Sequence, residues 1–391
     1  MKTYRVALLG CGGRGRAAGR AYKAHPRTDL VALCDLVPEL YDKLGEELEV
    51  SVRYTDLDAM IREMAPDIVA IPTATELHHP LSMRVLEHGV NMEVEKPMGI
   101  DLVQADEMVA KASEKGVRMA VHHQTRAGPN MQAVAKAFAE GRIGQLRYIY
   151  GSGKGYYGGY GLMNIGTHML NNMLRFGGHC RSVSASAITG GHPITPDDVL
   201  VAPGGMGTIA GEYITSTLQF DHNVTGTLLQ HRFPEIDLAA YAMELYGTEG
   251  RLFFAASGRK GTEGAWLLPT PHHLPDGEHD RWERLEPIFP AQYDPSSTTA
   301  VDDFGYVDDW VNALDEDREH ECSGQEGRNI LEIMMGTFES AAYGKRVDLP
   351  QPKRDHPLLR WRREHGLEDP TATARSYRDW LVLEDRRLGR P

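Results

Sequence analysis

The sequence predicts two successive architectures: a doubly wound α/β sheet, then an α+β domain built on a predominantly antiparallel, open-faced sheet. Two observations carry this. Up to about residue 125, short apolar runs alternate with helical stretches of about ten to sixteen residues, as parallel strands joined by crossover helices do. Beyond that point strand-like runs follow one another with no helix between them. A chain of 391 residues has room for two or three domains. The expected boundaries are 1–125 and 126–350, with 351–391 as a C-terminal extension.

The first turn is the most informative. RVALL, residues 5–9, reads as a strand and runs directly into GCGGRGR. Gly10, Gly12 and Gly15 stand there in G-x-G-x-x-G spacing, with Gly13 and Arg14 inside the turn. A helical stretch, RAAGRAYKAH, follows, and VALCD forms a second strand ending on Asp35, about twenty residues past the last glycine. Gly10 permits the sharp strand-to-helix turn, Gly12 lets a pyrophosphate reach the backbone, and Gly15 lets helix and strand pack closely. The helix start offers unpaired N–H groups and a positive dipole end to phosphate. Asp35 can accept both ribose hydroxyls and would repel a 2′-phosphate. The turn is therefore read as a dinucleotide site. Asp35 favours NAD, while Arg14 and Arg16 leave NADP open.

The alternation continues. SVRYTDLDAMIREM gives a short strand and a helix capped by Thr55 or Asp56; PDIVAIPTA is a strand; HPLSMRVLEHG is a helix closing on Gly89. NMEVEKP, DLVQADEMVAKASEKG and VRMAVHHQ add strand, helix and strand. Ligands of such sheets lie beyond the carboxyl ends of the strands. Three strand ends should therefore line one crevice: Thr73 to His78, Glu95-Lys96-Pro97, and His122 to Arg126. Lys96 would stand where a nicotinamide lies, and Pro97 fixes the turn that aims it, a place suited to a cis peptide. There an ammonium can stabilise the alkoxide formed as hydride leaves an alcohol.

In the second part, MQAVAKAFAEGRIG is a helix, QLRYIYGSGKG a strand, and GYYGGYGL a Gly/Tyr-rich loop before a helical run, MNIGTHMLNNMLRF. Five strand-like runs follow, from RSVSASAIT to GRLFFAA, interrupted by loop-like insertions at 190–210 and 257–297. Two late helices, DFGYVDDWVNALDED and EGRNILEIMMGTFESAAYGK, precede a charged tail anchored by Trp361, Tyr377 and Trp380. Asn164 and His168 are four apart and share a helix face. A histidine can take a hydroxyl proton near neutral pH; Asn164 can orient it or hold a substrate hydroxyl.

Composition narrows the partners. The formal net charge of -13 disfavours nucleic acid, and no apolar run reaches a membrane-spanning length. Four scattered cysteines and an N-terminus that runs straight into a strand fit a reduced cytoplasm. No metal site is expected, because the pairs His78-His79, His122-His123 and His272-His273 point apart.

The sequence resembles the glucose-fructose oxidoreductase / inositol dehydrogenase / rhizopine-catabolism (Gfo/Idh/MocA) family over roughly residues 4 to 350. GCGGRG, HHPLSMRVLEHGVNMEVEKPMG, AFAEGRIGQLRYI and NILEIMMGTFESAAYGKRVDLP carry the likeness. It implies a Rossmann domain, then an open-faced sheet used for substrate binding and for homodimer or homotetramer contacts. It implies that Lys96 of the Glu-Lys-Pro motif is the catalytic lysine, and that His168 is the histidine of the family's Asp-x-x-x-His motif. Arg126 resembles the arginine after the last Rossmann strand. Two departures stand out. Asn164 replaces the family's aspartate, and Thr73-Ala74-Thr75 stands in place of Thr-Pro-Asn, though His78 matches the histidine that follows.

The reading is an NAD(P)-dependent oxidoreductase moving hydride between the nicotinamide and a hydroxyl of a sugar, cyclic polyol or glycoside. Lys96, His168 and Asn164 would be catalytic. The cofactor would contact Gly10 to Gly15, Asp35, Thr73, Thr75, His78, Glu95, Lys96, Pro97 and Arg126. Arg126, Tyr156, Tyr157, Thr167 and His231 would join the substrate pocket. One alternative is NAD-dependent glycoside cleavage through a transient keto-sugar and elimination. Another is a dinucleotide-binding regulator without chemistry.

Overall fold

Six parallel strands form the first sheet of this computed structural model, which describes residues 2–256, 263–271 and 281–390. They are β1 (Tyr4–Leu9), β2 (Thr28–Cys34), β3 (Arg53–Tyr54), β4 (Ile68–Ile71), β5 (Asn91–Val94) and β6 (Met119–Val121), in the order β3-β2-β1-β4-β5-β6. The order reverses between β1 and β4, and the glycine turn follows β1 at that switch point. β4 is buried along its whole length, as a central parallel strand with helices on both faces must be. Those helices are α1 (Gly13–Ala24), α2 (Pro38–Leu48), α3 (Leu57–Met64), α4 (Thr75–Glu87) and α5 (Leu102–Lys115). Asp56 caps α3, accepting the Ala59 N–H at 2.6 Å.

The chain divides into two compact units that do not follow chain order. Unit 1 joins Met1–Gly99 and Val103–Pro129 with Phe289–Arg328. Unit 2 holds Ile100–Leu102, Asn130–Ile288 and Asn329–Pro391. The helix Val301–Asp315 therefore lies with the Rossmann sheet, although residues 126–350 read as one domain. The reason is its apolar stripe. Tyr306, Val307, Trp310 and Val311 bury themselves in one core with Leu8, Ala18, Tyr22 and Leu33.

Unit 2 is built on a mixed sheet, antiparallel except where Thr225–His231 pairs parallel with Leu146–Ser152. Burial alternates strictly along Tyr213–Phe220 and Thr225–His231, so one face is covered and the other open. Helix Thr167–Gly177 covers the buried face. A Cβ on Gly151 would stand 2.6 Å from Met169, and one on Gly226 3.1 Å from Met173. On the same face Ser216 meets Thr337 at 3.2 Å, and the Ala185 N–H donates to Ser340 Oγ at 2.8 Å. The C-terminal extension adds helices Pro357–Glu364 and Tyr377–Arg387, with Trp361 and Trp380 buried in unit 2. None of the four cysteines is disulfide-bonded. Among the described residues no helix is long and apolar enough to cross a membrane.

Candidate active site

The glycines of the first turn divide their labour as the spacing predicts. Gly10 has φ +106°, a conformation that favours glycine. A Cβ on Gly15 would stand 2.0 Å from the Gly10 carbonyl oxygen, so the helix can approach the turn only without one. Gly12 and Gly13 have nothing within 4 Å of a Cβ; their backbone faces open space. Asp35 closes the turn from β2. Its Oδ2 accepts the Cys11 N–H at 2.7 Å and its Oδ1 the Val37 N–H at 2.9 Å. A cleft of about 630 Å³ opens beside this carboxylate, walled by Leu36, Val37, Leu40, Thr73 and Leu77.

At the end of β5 the Lys96–Pro97 peptide is cis. His78 is fully buried and links two strand-end turns, with Nδ1 2.8 Å from the Pro97 carbonyl oxygen and Nε2 3.1 Å from that of Thr73. Its ring is occupied by backbone, so its place is beneath the turns and not against a ligand. Thr75 is buried as well, as the first residue of α4.

Below Lys96 lies a chain of buried charges. Arg14 Nε donates to Glu95 at 2.6 Å, and its guanidinium also meets Asp303 at 3.3 Å. His122 lies between Asp303 (2.8 Å) and Glu93 (2.6 Å), and the Tyr22 hydroxyl donates to Glu93. Burial alone would strip His122 of its proton; Glu93 and Asp303 overcome it and push the pKa up to about 10. Burial also opposes the Glu95 charge, yet His122, Arg14 and Lys96 together hold its carboxyl below the usual range. Glu95, expected against the cofactor, is thus buried and paired, and its Oε2 accepts the Lys96 N–H at 3.1 Å. Arg14 is engaged by the same carboxylates, and Arg16 pairs with Glu47 at 2.6 Å. Neither arginine is aimed at a 2′-phosphate. Arg126 is held by Glu326 at 2.9 Å.

In unit 2 the helix that carries Asn164 and His168 runs from Gly158 to Gly177 with a π-helical turn at Leu162–Gly166. Such turns recur at functional sites, because the extra residue re-aims the side chains around it. Asn164 is half-buried; Thr167 and His168 are buried. Two expected pocket residues lie elsewhere. Tyr157 is 0% exposed, with its hydroxyl 3.2 Å from Glu384, because the C-terminal helix covers it. His231 is on the open face, bonded to Thr215 Oγ1 at 2.9 Å, whereas the helix covers the other face. Strand alternation puts its neighbour Gln230 on the helix side, where Gly153 and Gly161 leave room for its amide. Tyr156 packs edge-on against Tyr160 and Tyr377.

A family model described as "Oxidoreductase family, NAD-binding Rossmann fold" (GFO_IDH_MocA) matches residues 4–123. That match takes in about the first third of the chain. The matched residues are those of an NAD-binding Rossmann fold. A D-apiose dehydrogenase of Paraburkholderia graminis is 24% identical over 378 residues, covering 92% of this chain and 93% of that protein. A 2,7-anhydro-N-acetylneuraminate hydratase of Mediterraneibacter gnavus is 31% identical over 156 residues, covering 40% of this chain and 41% of that protein. A levoglucosan dehydrogenase solved with NADH and levoglucosan shares the fold at TM-score 0.71 and 19% identity, covering 90% of this chain and all of that one.

The residues present fit NAD. The bare Gly12–Gly13 backbone leaves space for a pyrophosphate, Asp35 lies beside the apolar cleft, and Thr73 Oγ1 is buried with no hydrogen-bond partner among the described residues. Asp303 and Gln230 are the residues that sequence reasoning passed over. Asp303 sits some 180 residues from His122 along the chain, and no local pattern links them. The one available signal for Gln230 was a polar residue at an inward position of VTGTLLQHRF. Among the described residues no three His, Cys, Asp or Glu side chains are grouped to hold a metal; His272-His273 lie outside those residues.

Proposed function

We propose that the protein is a dehydrogenase of sugar or cyclic-polyol hydroxyl groups, and that Lys96 and His168 carry the chemistry. The observation that supports this most is Lys96 itself. It follows the end of β5 in a turn held by buried His78 and Glu95, in the same unit as a glycine turn with open backbone. NAD, when bound, supplies the acceptor for the hydrogen on the carbinol carbon. Lys96 donates a hydrogen bond to the substrate oxygen and holds the negative charge that grows there. An imidazole nitrogen of His168 takes the hydroxyl proton. Asn164, one turn earlier on the same face, orients either the ring or a neighbouring hydroxyl and carries no proton. Relatives named D-apiose dehydrogenase and inositol 2-dehydrogenase support the substrate class.

The test is a panel of inositols, aldoses and glycosides incubated with NAD and with NADP. Growth of the reduced-nicotinamide absorbance with at least one polyol, faster with NAD, is the expected result. A protein that binds NAD yet reduces none of it with any member of the panel, and releases no aglycone, overturns the reading. A second reading draws on the hydratase relative, whose named reaction has no net redox change. In it the same residues oxidise a sugar hydroxyl transiently, an elimination follows, and product appears while the nicotinamide band stays flat.

A further inference from the structure

The helix that carries Asn164 and His168 starts on a scaffold supplied by the far end of the chain. The Gly158 N–H donates to the Glu212 carbonyl at 2.9 Å, and the Gly159 N–H to the Gly211 carbonyl at 2.8 Å. Both contacts are tight: a Cβ on Gly158 would stand 2.6 Å from the Gln230 carbonyl oxygen, and one on Gly159 2.8 Å from that of Ala210. The Glu212 carboxylate is fully buried. It is satisfied by Arg390 through both oxygens (2.8 Å to Oε2), by Arg232 at 3.0 Å and by the Gly190 N–H at 2.9 Å. Asp385 grips Arg232 from the other side at 2.6 and 2.7 Å. A buried carboxylate between two guanidinium groups keeps its position only while both are present, because losing one leaves charge uncompensated.

The same tail holds the residues just before the helix. The Tyr377 hydroxyl accepts the Tyr157 N–H at 2.8 Å, and its ring stacks on Tyr160 at 4.6 Å. Trp380 meets the Tyr157 ring edge-on at 5.0 Å and donates its indole N–H to the Val201 carbonyl at 3.0 Å. Tyr160 stands four residues before Asn164, in the turn that leads into the π-helical segment.

We propose that residues 376–390 form a positioning strap: they hold the start of the Asn164–His168 helix and so set turnover, while dinucleotide affinity is left untouched. This rests on the dehydrogenase reading for its kinetic consequence. Loose placement of a proton acceptor is costly, since an error of about 1 Å lowers rates by up to ~100-fold.

The experiment uses the full chain with Arg390→Ala, Arg390→Lys and Tyr377→Phe. Tyr377→Phe removes only the oxygen that receives the Tyr157 N–H, and serves if Arg390→Ala does not fold. Hydrogen–deuterium exchange at residues 157–166 should rise at least about tenfold in Arg390→Ala and Tyr377→Phe, with residues 4–35 unchanged. On the best polyol of the panel, kcat should fall by about 10- to 100-fold with the Kd for NAD within about twofold. Arg390→Lys, which keeps the charge but not the two-pronged bond, should restore part of the loss. Unchanged exchange overturns the strap, and so does faster exchange with full kcat. A wild-type protein that oxidises no polyol sinks the functional reading instead, and the exchange measurement alone then supports or overturns the strap.

Discussion

The two units bring their chemistry to the surface by opposite routes. In unit 1 the glycine turn, Asp35 and the Lys96 turn are each set by neighbours in the chain or on adjacent parallel strands. In unit 2 the Asn164–His168 helix is held by Glu212 and by Arg390 and Tyr377 of the tail, which come from two distant places in the sequence. A local motif tolerates drift elsewhere in the chain. A distributed site does not, and each of its members looks ordinary when read alone.

The sharpest way to break this comparison is Lys96→Ala. One preorganised donor lost at the oxygen where charge develops should lower kcat/KM by about 100- to 1,000-fold, while NAD titration shows an affinity within about twofold of wild type. A loss under about tenfold would take Lys96 out of the chemistry. Next comes a pair of glycine substitutions inside one turn. Gly15→Ala forces a methyl against the Gly10 carbonyl and should cost about 1–3 kcal/mol of stability by denaturant unfolding. Gly12→Ala has room, so stability should stay within about 0.5 kcal/mol while NAD binding weakens as the methyl enters the pyrophosphate space. If both lose stability alike, the division of labour among the glycines fails.

Asp35→Asn keeps an acceptor for the Cys11 N–H but removes the charge. Its preference for NAD over NADP should drop about tenfold, or ~1.4 kcal/mol, by comparison of kcat/KM for the two cofactors. An unaltered ratio would move cofactor choice elsewhere. The last test concerns the buried charges under Lys96. The His122 pKa of about 10 in the folded state exceeds its unfolded value of 6.5. The proton thus adds stability that is present in full below pH 6.5 and is lost progressively as pH rises through about 10. Unfolding free energy measured from pH 6 to 10.5 should decline over that window, and His122→Gln should flatten the decline. A variant with the wild-type slope would assign it to other groups.

Much of unit 1 was legible because its signals are local. Strand, turn, helix and acid recur within a few dozen residues; the cap was narrowed to Thr55 or Asp56, of which the structure uses Asp56, and the turn at Pro97 read as suited to the cis bond it has. The second sheet was recognisable as a run of strands, but the parallel pairing of Leu146–Ser152 with Thr225–His231 was not, since strand spacing carries no direction. Tyr157 and His231 show the same limit at the site. Both are polar-tipped residues beside the expected pocket, and nothing in their neighbourhood says that a tail helix covers one and strand alternation turns the other away.

By itself, then, the amino-acid order determined where the backbone turns tightly on glycine, which carboxylate closes that turn, and which lysine precedes the cis proline. Tertiary structure alone decided that residues 289–328 complete the first core, that Arg14 and Glu95 neutralise each other, and that the tail grips the helix of His168. The physical reason is range: steric and hydrogen-bonding preferences act between near neighbours in the chain, whereas burial and charge pairing act between whatever groups packing brings together.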